Sequence, residues 1–185
     1  MKPLQSAAMG FIFIALYALF NGYDAYADPV GWVLVLLGVR RLPADTPLRF
    51  ATLYAGGLAL AVSVPLWFRA PRAALADVDP SLAWAADLPA FACAALLCHG
   101  LARAATQADD LRMARRLATV RTVLVIVAVV PVLVFGAGLE QLAAPASAAA
   151  QLAYLALIWL LFSSSGRAWG GAPVLEPAAE PPAPS

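Results

Sequence analysis

Runs of apolar residues long enough to cross a lipid bilayer fill most of this chain, and no other feature limits its fold so strongly. In hydrocarbon the backbone amides and carbonyls find no water, so a segment that enters must satisfy them internally. A run of about 17 to 25 apolar residues is therefore read as a spanning α-helix. Five runs qualify: residues 4–22, 48–68, 82–102, 120–139 and 146–162. Composition agrees. Only 12% of the 185 residues are charged, against about 25% in soluble domains, and mean hydropathy is +0.80. The expected fold is an all-α polytopic bundle over residues 1–166, followed by a cytoplasmic tail, 167–185, that is rich in Pro and Ala from Gly170 onward and expected to be disordered.

A sixth run, 29–42, is shorter. Asp28 can cap its helix, Pro29 suits the first turn, and Pro43 ends it. Fourteen residues cover about 21 Å, so it spans if entered near Ala25 with Arg40 and Arg41 snorkelling to the headgroups. Otherwise it is re-entrant and five spans remain; six are expected. With six spans and a cytoplasmic N-terminus, the inside holds Lys2, Arg40, Arg41, Arg49, Arg103, Arg112, Arg115, Arg116, Arg121 and Arg167, leaving Arg69 and Arg72 outside. Five spans with an outside N-terminus give nine inside and three outside. Both arrangements put the 103–121 segment and the C-terminus in the cytoplasm. Lys2, the run 9–20 and Ala25-Tyr26-Ala27 imitate a cleavable signal peptide. The run extends to a full span and another follows at once, which fits a retained helical hairpin.

The net charge of +1 gives no reason to expect nucleic acid as a partner. All basic residues but Lys2 are arginine, and Ala and Pro abound, a bias that accompanies GC-rich bacterial genomes. Cys93 and Cys98 lie roughly 140° apart around one helix, outside the C-x-x-C spacing, and read as small core residues. His99 is the sole histidine, so a bis-His haem or multi-His metal centre within one chain is excluded; no cofactor is expected. It is placed near the cytoplasmic end of its helix, in an interfacial role.

Asp87 is the charge expected inside a span, one turn into its run and two residues before Pro89. It reads either as a proton or cation site facing the bundle interior or as an interfacial carboxylate bonded to a neighbouring helix. In the 103–121 segment an amphipathic cytoplasmic helix is expected, with Arg112, Arg115 and Arg116 as candidate lipid-headgroup contacts. Ala55, Ala59 and Ser63, and Ala146, Ala150, Ala153 and Ala156, form small-residue stripes suited to close helix approach.

The most distinctive stretch, 21–32, packs turn formers, two carboxylates and aromatics between two apolar runs. Tyr23, Tyr26 and Trp32 are expected at headgroup level, Asp28 as a cap, and Gly31 at a close helix contact. Asp24 and Asp28 read either as a cation or partner site or as capping and turn residues. Asp24, Asp28, Pro29, Gly31 and Trp32, followed by 33–39 and Arg40-Arg41, resemble a group of small bacterial integral membrane proteins in which D-x-x-P-D-P-x-G-W precedes a short apolar helix ending in basic residues. Ala27 stands where that pattern has proline. The resemblance covers the first quarter of the chain and implies a family look without an activity.

Zinc-protease, nucleophile-elbow and P-loop motifs are absent. The leading expectation is a non-enzymatic accessory or scaffold component of a bacterial cell membrane, with the lipid bilayer, a membrane protein or further copies of itself as partners. A small transporter or channel subunit using Asp87 is the alternative; a lipid or isoprenoid enzyme using Asp24 and Asp28 comes last.

Overall fold

The computed structural model describes residues 1–15, 19–20, 23–24, 28–68, 71, 74–75 and 78–173. Among these, six α-helices of a dozen or more residues follow in order: α1 (Pro3–Ala15), α2 (Asp28–Arg40), α3 (Arg49–Leu66), α4 (Pro80–Gln107), α5 (Leu111–Ala137) and α6 (Ala143–Ser164). The protein is thus an all-helical bundle. The last four helices are long and apolar enough to cross a membrane, whereas α1 and α2, at 13 residues each, reach only about 20 Å.

Some boundaries differ from expectation. The helix expected over 4–22 is described from Pro3 to Ala15, and Leu19–Phe20 pairs antiparallel with Tyr23–Asp24. The next helix is described from Asp28, and the expected entry near Ala25 lies outside the described residues. There is no separate helix on a cytoplasmic loop, because α4 runs on to Gln107 and α5 begins at Leu111. Local chemistry explains the sharp joint. Asp109 takes a left-handed backbone with φ 59°, the Asp110 N–H donates back to the Ala105 carbonyl at 2.8 Å, and the Asp110 carboxylate caps α5 by accepting from the Met113 N–H at 3.3 Å. At the far end of α4, the Asp79 carboxylate accepts from the Ser81 N–H at 2.8 Å, and that backbone bond holds its carboxyl below the ordinary value of 3.8.

Each helix packs on its neighbours in sequence, and α6 closes on α1. The middle of this ring is solid. Phe11 of α1 meets Trp32 of α2 edge-on at 6.1 Å and Tyr154 of α6 at 6.0 Å, and Tyr154 meets Phe91 of α4 at 5.8 Å. Leu101, Leu117, Leu124, Leu157 and Leu161, all buried, continue the same cluster. Trp32, expected at headgroup level, is therefore a core residue at 3% exposure. Its neighbour Gly31 permits close approach, so the ring lies over α1 instead of reaching out to the interface.

In lipid, helices gain little from hiding apolar surface from one another, and packing together with a few interhelical hydrogen bonds holds them. The α1–α2 pair meets this demand with glycines. A Cβ on Gly10 would run into the Gly31 carbonyl oxygen; one on Gly31 would stand 2.8 Å from the Gly10 carbonyl oxygen; one on Gly38 would stand 2.7 Å from both the Ala7 nitrogen and the Pro3 carbonyl oxygen. The Ser6 hydroxyl adds an interhelical bond to the Leu34 carbonyl at 3.0 Å. On α3 the buried stripe is Thr52, Gly56, Ala59 and Ser63, which includes two of the small residues expected there; on α6, Ala153 is buried and Ala156 packs against the core. Cys93 and Cys98 are free and fully buried.

The segment expected to be a free tail is ordered at its start. Residues Ala168–Gly170 form a 3₁₀ turn, Trp169 packs against the core, and Gly170 lies on Leu4. The Trp169 indole gives this stretch something to bury. The rest of the tail, 174–185, lies outside the described residues.

Candidate functional site

The ring brings four distant parts of the sequence to one end: the N-terminus, the α2–α3 joint, the α4–α5 joint and the chain after α6. A Cβ on Gly171 would meet Pro3 at 2.9 Å and Pro43 at 3.5 Å, Arg167 approaches Asp110 at 3.5 Å, and Pro43, Thr46, Gln107 and Trp169 line one hollow. Lys2, Arg40, Arg41, Arg49, Arg103, Arg112, Arg115, Arg116 and Arg167 all lie on or beside these segments, with Arg121 deeper on α5. Arg69 and Arg72 lie outside the described residues.

At this end the expected trio Arg112, Arg115 and Arg116 is divided. Arg116 lies over the Trp159 ring at 5.6 Å, tying α5 to α6, and Arg112 is exposed. Arg115 instead joins residues that were not grouped with it. With His99, Ala102, Arg103 and Thr106 of α4 and Leu111, Ala114, Ala118 and Arg121 of α5, it lines a surface hollow of about 250 Å³. The helical spacing is the reason. Residues 99, 102, 103 and 106 form one i, i+3, i+4, i+7 stripe, and 111, 114, 115, 118 and 121 another; alanines at three of these places leave the space. The two stripes are present in the sequence, but they meet only because the 103–121 segment is divided between α4 and α5.

His99 therefore has a defined partner. Arg121 Nη1 lies 2.7 Å from His99 Nδ1. A guanidinium can only donate, so Nδ1 accepts, and the proton of the neutral ring is on Nε2. Arg49 binds differently, donating from Nη2 to the Arg40 carbonyl at 2.8 Å, where its charge complements the C-terminal end of α2.

Asp87 stands at the opposite end. It lies two turns into α4, because that helix begins at Pro80, and it lines a mostly apolar hollow of about 300 Å³ with Trp84, Phe91, Pro131, Val134 and Ala146. It is far from His99 along the same helix, so the two candidate polar residues share no site. Within this hollow the Trp84 indole donates to the Ala128 carbonyl at 3.0 Å, beside the ladder interruption that Pro131 imposes on α5.

Of the expected turn site, Asp28, Pro29, Gly31 and Trp32 all belong to α2. Asp28 is the first described residue of the helix, and Gly31 and Trp32 serve the contact with α1. The side chains of Asp24, Tyr23 and Tyr26 lie outside the described residues, and with them the expected Asp24–Asp28 pairing. Among the described residues no three His, Cys, Asp or Glu side chains converge as metal ligands would. Compared with known protein families, curated proteins and solved structures, the chain finds no match.

Proposed function

We propose that this chain is a multi-pass component of a bacterial cell membrane that acts by binding and holding, as an accessory or scaffold protein, and not by catalysis. The observation that carries the reading is the filled ring. Phe11, Trp32, Phe91 and Tyr154 occupy the middle of the bundle, so a solute crossing within one copy would have to displace packed side chains from several helices. Meanwhile only 22% of the apolar window of each long helix is buried within the chain, which leaves the remainder for lipid or for other membrane proteins. Distinctive polar chemistry lies at the two ends.

The gathering of ten basic residues at or near one end supports a cytoplasmic assignment for that end, with both termini inside and six crossings. The resemblance of residues 24–41 to small bacterial membrane proteins is consistent with the same reading. Extraction of the native assembly in mild detergent, followed by intact mass measurement, tests it. A foreign membrane subunit at fixed stoichiometry is the expected result; the chain alone overturns the accessory role.

The hollow around Asp87 favours one competing reading, a transport or channel subunit with its path on the outside of the ring. Flux through liposomes that is abolished by Asp87→Asn, with the fold intact, would support it over the scaffold reading.

A further inference from the structure

We propose that the hollow formed by His99, Arg103, Thr106, Arg115 and Arg121 is a binding site for a phosphate group, and that an anionic phospholipid headgroup supplies it. Three arginines and one histidine line a space of about 250 Å³. Ordinary ligand pockets run from roughly 300 to 1,000 Å³, so this space suits a headgroup and not a whole metabolite. Among the described residues, none of the three arginines lies in a salt bridge, and the ion pair at this end joins two other residues, Arg167 and Asp110. The guanidinium fork matches a phosphate bidentately, and the Thr106 hydroxyl, although it donates to the Ala102 carbonyl at 2.9 Å, keeps its acceptor side.

The site is also preorganised. Arg121 is held by His99 Nδ1 at 2.7 Å, which fixes one guanidinium at the hollow. No carboxylate lines the hollow, so a zwitterionic headgroup would leave its ammonium without a partner.

Depth identifies lipid over free phosphate. α4 and α5 contain 28 and 27 residues, about 40 Å each, so their ends pass beyond a hydrocarbon core of about 30 Å. The hollow runs from Thr106 and Leu111, at the ends of the two helices, to His99 and Arg121, about 12 and 15 Å further in, so it crosses the boundary between headgroups and hydrocarbon. Immediately beyond it α5 exposes Val125, Ile126 and Val129, a surface along which acyl chains can lie while the phosphate sits among the arginines.

The test uses the full chain in mild detergent, with phosphatidylglycerol and phosphatidylcholine supplied at equal concentration and bound lipid counted by native mass spectrometry. Wild type is expected to retain phosphatidylglycerol preferentially. R103Q/R115Q, which changes two exposed side chains, is expected to weaken retention about a hundredfold, from roughly tenfold for each direct guanidinium–phosphate hydrogen bond lost. R112Q/R116Q removes the same charge outside the hollow and is expected to leave retention nearly unchanged; thermal melts of each variant check the fold. Equal loss in both double variants, or equal retention of the two lipids, overturns the site. Inorganic phosphate distinguishes the sources. Failure of millimolar phosphate to displace the lipid supports the headgroup, whereas displacement by it, with the same R103Q/R115Q dependence, keeps the phosphate site and overturns the lipid assignment.

Discussion

Replacing Gly10 by alanine tests what holds α1 against α2. The added Cβ would run into the Gly31 carbonyl oxygen and stand 2.7 Å from the Val35 backbone nitrogen, so the obstacle is main chain that no rotamer change can move. The helices must separate by about 1 Å to restore ordinary contact. Overpacking costs about 1–3 kcal/mol, and because backbone is struck the upper half of that range applies; alanine returns up to about 1 kcal/mol through helix propensity. The expected net loss is about 1–2 kcal/mol. Gly57 supplies the control, since a Cβ there meets nothing within 4 Å. Gly57→Ala should therefore gain up to about 1 kcal/mol, placing the two variants about 2–3 kcal/mol apart. Unfolding by sodium dodecyl sulfate in mixed micelles, followed by circular dichroism, orders them. If G10A resists the detergent as well as G57A, close backbone approach is not what joins α1 to α2, and the reasoning fails.

Three further outcomes follow from single contacts. Trp84→Phe should lower stability by about 0.5–1.5 kcal/mol in the same titration, through loss of the 3.0 Å bond to the Ala128 carbonyl; no change would mean that water or lipid headgroups satisfy this carbonyl equally well. Because the Ser81 N–H holds the Asp79 carboxyl below 3.8, its cap stabilises the fold fully above that ordinary value and loses its effect as pH falls through the depressed one. The stability difference between wild type and Asp79→Asn should accordingly be constant near neutrality and shrink only in acid, and a difference that grew on acidification would contradict the assignment. Cys93 and Cys98, both at 0% exposure, should resist maleimide in the native detergent complex and react after unfolding; prompt native labelling of either would place it outside the core.

How much of this could be read from the sequence depends on which forces decide each feature. The four helices long and apolar enough to cross a membrane were legible because hydrocarbon admits so few backbone structures. Their ends at 107–111 were not, since the arginines of 103–121 read as a separate amphipathic helix when no helical partner is assumed. Asp109 in a left-handed conformation and Asp110 as a cap make the turn in three residues, and every arginine from 103 to 121 then falls on a helix. Trp32 shows a similar override. An indole beside a turn suggests the headgroup region, but Gly31 brings α1 so near that Phe11 offers the ring an edge contact at 6.1 Å. The bond of His99 to Arg121, twenty-two residues away, required the pairing of α4 with α5.

That pairing bears on where function can reside in such a chain. Where aromatic side chains pack the middle of a bundle, recognition can use the seams between adjacent helices, where side-chain stripes face one space. α4 and α5 share two such seams. At one end Asp87, Trp84 and Pro131 border an apolar hollow; at the other, arginines border a hollow floored by alanines. The small residues in the second matter as much as the charges, for leucines at 102, 114 and 118 would close the space and leave the same arginines as ordinary surface charge. An Ala118→Leu variant separates the two contributions. It keeps all three guanidinium groups, so a site that depends on shape loses its preference for phosphatidylglycerol, while simple attraction to an anionic surface would leave that preference intact.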